Sequence, residues 1–125
     1  MDANMQEQAE ALRSMSSKGA ADWLLHHYPL GSAQWGNVIL LMEHLSLQRA
    51  DWTRLARHYL AAAPFAQDRP YKLFARQLGV SRFLTILAHV LPANADRRDL
   101  LRYQLEPLLR DAKDEDRATF ASLTG

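Results

Sequence analysis

The chain contains no cysteine. Disulfides, thiolate nucleophiles and zinc sites built on cysteine are therefore excluded, although this absence does not set the compartment. Glycine is scarce and scattered, at positions 19, 31, 36, 79 and 125, so no glycine-rich loop of the usual kinds cradles a phosphate. Long apolar runs are missing as well. The longest uninterrupted one, VILLM at 38–42, falls far short of the about 18–20 residues that span a bilayer. The N-terminal MDANMQEQAEALRSM has acids and amides where a secretory signal carries basic residues and then an apolar stretch. The expectation is a soluble, cytoplasmic protein. Its 125 residues point to a single domain, 1–125, large enough to bury a core without staples. The tails, about residues 1–5 and 122–125, are expected to fray.

What is present is charge contrast. The net charge is only +1, but it is unevenly spread. Residues 1–48 carry Arg13 and Lys18 against Asp2, Glu7, Glu10, Asp22 and Glu43. Residues 49–110 hold eleven basic and five acidic side chains, and residues 111–125 two basic and four acidic. A basic middle between acidic ends attracts either nucleic acid or an acidic protein surface through the same long-range field.

Hydrophobic spacing is helical throughout. Trp35, Val38, Ile39, Met42 and Leu45 form one stripe, which Leu40 and Leu41 widen. Trp52, Leu55, Ala56, Tyr59 and Leu60 form a second, and Leu100, Leu101, Leu105, Leu108 and Leu109 a third. Punctuation agrees. Ser17, Ser32, Asp68, Ser81, Asp96 and Asp114 stand where caps are needed, and Pro64, Gly79 and Pro92 where helices stop. Pro107 should kink or split the helix over 97–110. The pattern predicts an all-α bundle of about seven or eight short amphipathic helices around a central helix near 33–46. Trp23, Trp35, Trp52, Phe74, Phe83 and Leu101 are the expected core. The tripeptide ADW recurs at 21–23 and 50–52, but the spacing to the following His-Tyr differs, so no repeat is assigned.

Catalytic equipment is not visible. His26, His27, His44, His58 and His89 never fall three or four residues apart, the spacing that puts two ligands on one helical face. No metal and no cofactor is implied. The serines fall at caps and turns rather than in a strand–turn–helix elbow. A non-enzymatic role is expected.

Basic stripes are the candidates for binding. Arg69, Lys72 and Arg76 are spaced i, i+3, i+7 on one helix, and Arg54 and Arg57 form a ridge on another, with Arg49 and His58 nearby. Tyr71 beside them is expected to be an exposed aromatic anchor. Residues 71–91, YKLFARQLGVSRFLTILAHVL, resemble a helix-turn-helix DNA-binding unit at Phe74, Ala75, Leu78, Gly79, Val80 and Ser81. The resemblance implies a second helix that reads the major groove. Here that helix offers Phe83, Ile86, Leu87 and Val90, with Thr85 at a position normally buried. Only Ser81, Arg82 and His89 suit a base edge.

The reading is therefore a protein-binding domain that meets an acidic partner protein through Arg54, Arg57, Arg69, Tyr71, Lys72 and Arg76. A bacterial immunity protein that neutralises a toxin has this profile, by analogy of class alone. One alternative is a nucleic-acid-binding regulator with a degenerate helix-turn-helix at 71–91. The other is a self-associating structural protein, a homodimer that buries an apolar Phe83–Leu91 surface. A membrane partner is not expected.

Overall fold

The computed structural model describes residues 3–30 and 36–124. Eight α-helices occur among them: α1 (Ala3–Arg13), α2 (Ser17–His27), α3 (Asn37–Met42), α4 (Arg49–Tyr59), α5 (Arg69–Leu78), α6 (Val80–Ala88), α7 (Ala95–Leu105) and α8 (Asp114–Thr124). Short 3₁₀ turns follow α4 at Leu60–Ala62 and α7 at Glu106–Leu109. No strand occurs among the described residues, and no helix there is long and apolar enough to cross a membrane. The all-α bundle read from the periodicity is what the chain forms.

Helix α4 organises the packing. Trp52, Leu55, Ala56 and Tyr59 recur at helical spacing and are all buried. The helix lies against α2, α5 and α6 at once. Its two aromatic residues do different work. Trp52 meets Phe74 of α5 edge to face, ring centroids 6.4 Å apart at 78°. The Tyr59 hydroxyl donates to the backbone carbonyls of Leu24 at 3.2 Å and Tyr28 at 2.9 Å, at the C-terminal end of α2. The Tyr28 carbonyl lies just past the last turn, where a helix runs out of its own donors, while the Leu24 carbonyl also accepts the Tyr28 N–H at 2.9 Å. Burial pushes the Tyr59 hydroxyl well above the ordinary phenol range.

The helix expected over 33–46 is described only as Asn37–Met42, with Val38, Ile39, Leu41 and Met42 buried. Gly31, Ser32 and Trp35 lie outside the described residues. Of the tail 1–5, α1 already includes Ala3, and Met5 is a buried residue. Trp52, Phe74, Phe83 and Leu101 are buried as expected. Trp23 is not a core residue. It is half-buried and stacks on His27 at 4.0 Å, one turn along the same helix.

Several caps shift by a residue or change role. Ser16, not Ser17, caps α2: its Oγ accepts the Gly19 N–H at 3.0 Å. Ser17 is thereby released for tertiary work. Its hydroxyl donates to Asp51 at 2.6 Å and accepts the Gln48 N–H at 2.8 Å, tying the starts of α2 and α4 together. Asp68 precedes α5, but its carboxylate pairs with Lys72 at 3.1 Å instead of capping. Asn94, two residues before Asp96, caps α7 by accepting the Arg97 N–H at 3.0 Å. Pro107 does split its helix, which changes to a 3₁₀ turn after Leu105.

The link between α5 and α6 is one residue, Gly79, at φ 82°, ψ 153°. That extended region at positive φ is essentially closed to residues with a Cβ. It lets the chain turn at once. Ser81, expected as the cap of α6, instead donates to the buried Asp116 of α8 at 2.5 Å.

Candidate functional site

Of the residues expected to bind a partner, Tyr71 is displaced outright. It is 0% exposed. Its position three residues before Phe74 and seven before Leu78 places it on the buried face of α5, opposite Lys72 and Arg76. Its hydroxyl donates to Gln104 Oε1 at 2.6 Å and accepts the Phe65 N–H at 2.8 Å. Burial raises it to about 12.

The five cations do not form one ridge. Arg54 turns toward α2, with Nη2 2.5 Å from Asp22 and Nη1 3.2 Å from Asp51. The hydrogen bond to Asp22, then that to Asp51, raises the Arg54 pKa, and Arg54 lowers that of Asp22 in return. Arg69 grips Glu43 with Nη2 at 2.6 Å and Nε at 2.8 Å, a planar two-point pairing that suits guanidinium and carboxylate. Lys72 pairs with Asp68. Three of the five charges are therefore answered within the chain. Arg57 and Arg76 are exposed and form no ion pair among the described residues.

Arg57 belongs instead to a groove between α4 and α6. On α4, Arg49, Thr53 and Arg57 fall at intervals of four along one edge. On α6 and its C-cap, Arg82, Thr85 and His89 follow at three and four. A depression of about 700 Å³ brings Arg49 and Arg82 together with Lys113, and Asp111 and Asp116 stand at that end. A second hollow of about 350 Å³ joins Arg57 to Thr85, Ile86, His89 and Val90. Thr85 borders both. Arg49, Arg57 and Arg82 are all exposed and carry no ion pair among the described residues. Asp116 is already engaged by Ser81. The polar groups have fixed orientations. Thr53 donates to the Arg49 carbonyl, and Thr85 to that of Ser81. His89 Nδ1 donates to the Thr85 carbonyl at 2.9 Å, leaving Nε2 as the second ring nitrogen. The two hollows, which share Thr85, make a basic groove along about 12 Å of α4, with half-buried Val90 at one end.

This groove reverses one sequence expectation. Phe83, Leu84, Ile86 and Leu87 are buried within the chain, and Val90 and Leu91 half-buried. The outward strip of α6 is polar: Ser81, Arg82, Thr85 and His89. The apolar surface expected to pair α6 with another copy is core. Helix α6 packs against α4, α5 and α8 and turns this polar strip outward.

A further hollow of about 600 Å³ is lined by Ile39, Leu40, Phe65 and Pro70. Its one charged lining residue among those described is Arg69, which Glu43 already answers. Among the described residues no group of three or more His, Asp or Glu side chains stands close enough to hold a metal ion.

His58 has the one buried side-chain polar atom, Nε2, without a hydrogen-bond partner among the described residues. Burial lowers its pKa from 6.5. The folded chain therefore binds this proton less readily than the unfolded chain. The neutral form's full stability is present above 6.5 and is lost as pH falls through the window below it. Urea midpoints should drop across that window for the wild type, and His58→Leu should flatten the slope. An unchanged slope in the variant would assign the acid sensitivity elsewhere.

No family model matches the chain, nor does any curated protein or solved structure.

Proposed function

We propose that the chain is a non-enzymatic binding domain whose α4–α6 groove receives an acidic surface of another protein. The observation that carries this reading is the convergence of Arg49, Arg57 and Arg82, unanswered by any described carboxylate in an ion pair, along one groove. Charge of this kind accelerates encounter and sets orientation. Half-buried Val90 adds a small apolar contact at one end. Neutralisation of a toxin, as by an immunity protein, is the specific form of this function that a small helical domain with a basic docking groove suits, by analogy of class.

The test is kinetic. A partner recovered by pull-down is measured against the wild type and against Arg57→Glu combined with Arg82→Glu. Association should slow on the order of tenfold, with a flatter salt dependence. Folding should hardly change, because exposed charges contribute little to stability. Lys72→Glu with Arg76→Glu is the control. It should slow association less, since Lys72 is already paired and neither residue borders the groove. Equal association by wild type and the Arg57/Arg82 variant would overturn the assignment. The nucleic-acid reading is tested by the same variant, since phosphate contacts need only charge. Salt-sensitive duplex binding that disappears with Arg57 and Arg82, and no protein partner, would replace the present reading.

A further inference from the structure

The end of α2 brings two imidazole rings together. His26 and His27 occupy its last turn, and both are exposed. Neighbours on a helix ordinarily diverge, yet their ring centroids lie 5.0 Å apart, with the planes inclined at 78°. His27 is held in place. Its ring stacks on Trp23 at 4.0 Å and 15°, and its Nδ1 lies 2.9 Å from the Trp23 carbonyl oxygen. A carbonyl only accepts, so Nδ1 carries the proton and the neutral ring keeps its lone pair on Nε2. His26 forms no hydrogen bond or ion pair among the described residues, and its ring is free to turn. The Asp22 carboxylate stands one turn before His26, but Arg54 takes its Oδ1 and Lys18 its Oδ2.

We infer that His26 and His27 hold a divalent late transition metal ion of the copper(II) type. The site lies on α2, not on a wall of the groove, and is independent of the proposed function. The ring spacing carries the inference. With a metal–nitrogen bond of about 2.0–2.1 Å, each ring centre lies about 3.2 Å from the ion, so two rings that meet it at a right or tetrahedral angle stand about 4.5–5.2 Å apart. The observed 5.0 Å falls inside that interval. A protonated Nδ1 on a backbone carbonyl is the usual support of a metal-bound histidine, because it fixes the tautomer and aims Nε2. The place favours a cation as well, since the C-terminal end of a helix is the negative end of its dipole. Neutral imidazole suits copper, nickel and zinc, and copper(II) binds such nitrogen sites most tightly. Magnesium and calcium, which take oxygen ligands, do not suit it. Asp22 is engaged, and no third His, Asp or Glu joins the pair among the described residues, so water completes the shell. Structural metal sites are closed by four protein ligands, whereas this one is open and exchangeable.

Titration of the full chain with copper(II) chloride tests this. Trp23 is the reporter, because a paramagnetic ion on His27 sits beside the indole stacked on that ring and quenches its emission. Emission should fall and saturate at one ion per chain. The electron paramagnetic resonance spectrum should show hyperfine coupling to two nitrogens. His26→Gln and His27→Gln should each weaken binding at least about tenfold. Circular dichroism should show both variants folded, since both side chains are exposed. His44→Gln is the control, an exposed histidine outside the pair, and should bind as the wild type does. Absence of saturable binding, coupling to a single nitrogen, unchanged binding in either pair variant, or an equal loss in His44→Gln overturns the inference.

Discussion

Trp52→Ala is expected to lower stability by about 3–5 kcal/mol, the range for truncating a large buried aromatic. Trp52 is 2% exposed, at the point where α4 meets α5. Its loss removes apolar burial and also the edge-to-face contact with Phe74. The cavity would open beneath the helix that α2, α5 and α6 all pack on, so relaxation in one neighbour cannot close it without disturbing another. Urea unfolding followed by far-ultraviolet circular dichroism measures the effect. A loss below ~1 kcal/mol would mean that this face of α4 is not inside.

The second large effect is polar. Tyr71, Gln104 and Phe65 form a closed ring of hydrogen bonds. The Tyr71 hydroxyl donates to Gln104 Oε1, Gln104 Nε2 donates to the Phe65 carbonyl at 2.6 Å, and the Phe65 N–H returns to the Tyr71 oxygen. One ring thus joins α5, α7 and the connection that precedes α5. Tyr71→Phe deletes a single oxygen but leaves a buried N–H without its acceptor. The expected cost is about 1–3 kcal/mol, the penalty for stranding a buried polar group. Gln104→Leu should cost a similar amount, and the double variant clearly less than the sum, because both singles break the same ring. Strict additivity would show that the three groups do not act together. A loss within ~0.5 kcal/mol for Tyr71→Phe would show that the ring is not formed in solution.

The residues that misled the sequence reading share a cause. Tyr71 stands between Pro70 and Lys72, and a tyrosine beside cations suggests an exposed anchor. Its hydroxyl partner lies 33 residues further on, beyond any local window. Arg54 and Arg69 belong to real stripes, but Asp22 and Glu43, which answer them, are 32 and 26 residues away, and only Asp51, the second partner of Arg54, is local. Periodicity shows that a face is charged, not whether the fold returns an opposite charge to it. Helix α6 shows the converse. Its apolar residues were legible, but three neighbouring helices enclose them, and the exposed strip is what remains. Trp52, Phe74, Phe83 and Leu101 were readable because each sits in an unbroken stripe within one helix. Half of the groove was also in plain view, as Arg49 and Arg57 eight residues apart on one helix edge. Its other wall, Arg82 to His89, is brought alongside only by tertiary packing.

The hydroxyl of Tyr59 ties the end of α2 to α4. Helix ends usually belong to the low-stability periphery of a domain and open on their own. Here, unwinding the last turn of α2 would strand a buried phenol that burial keeps protonated. Ser17 and Asp51 make the matching link at the other end of the same two helices. Fastened at both ends, α2 and α4 behave as one cooperative unit, and the wall of the groove that α4 supplies inherits the rigidity of the core.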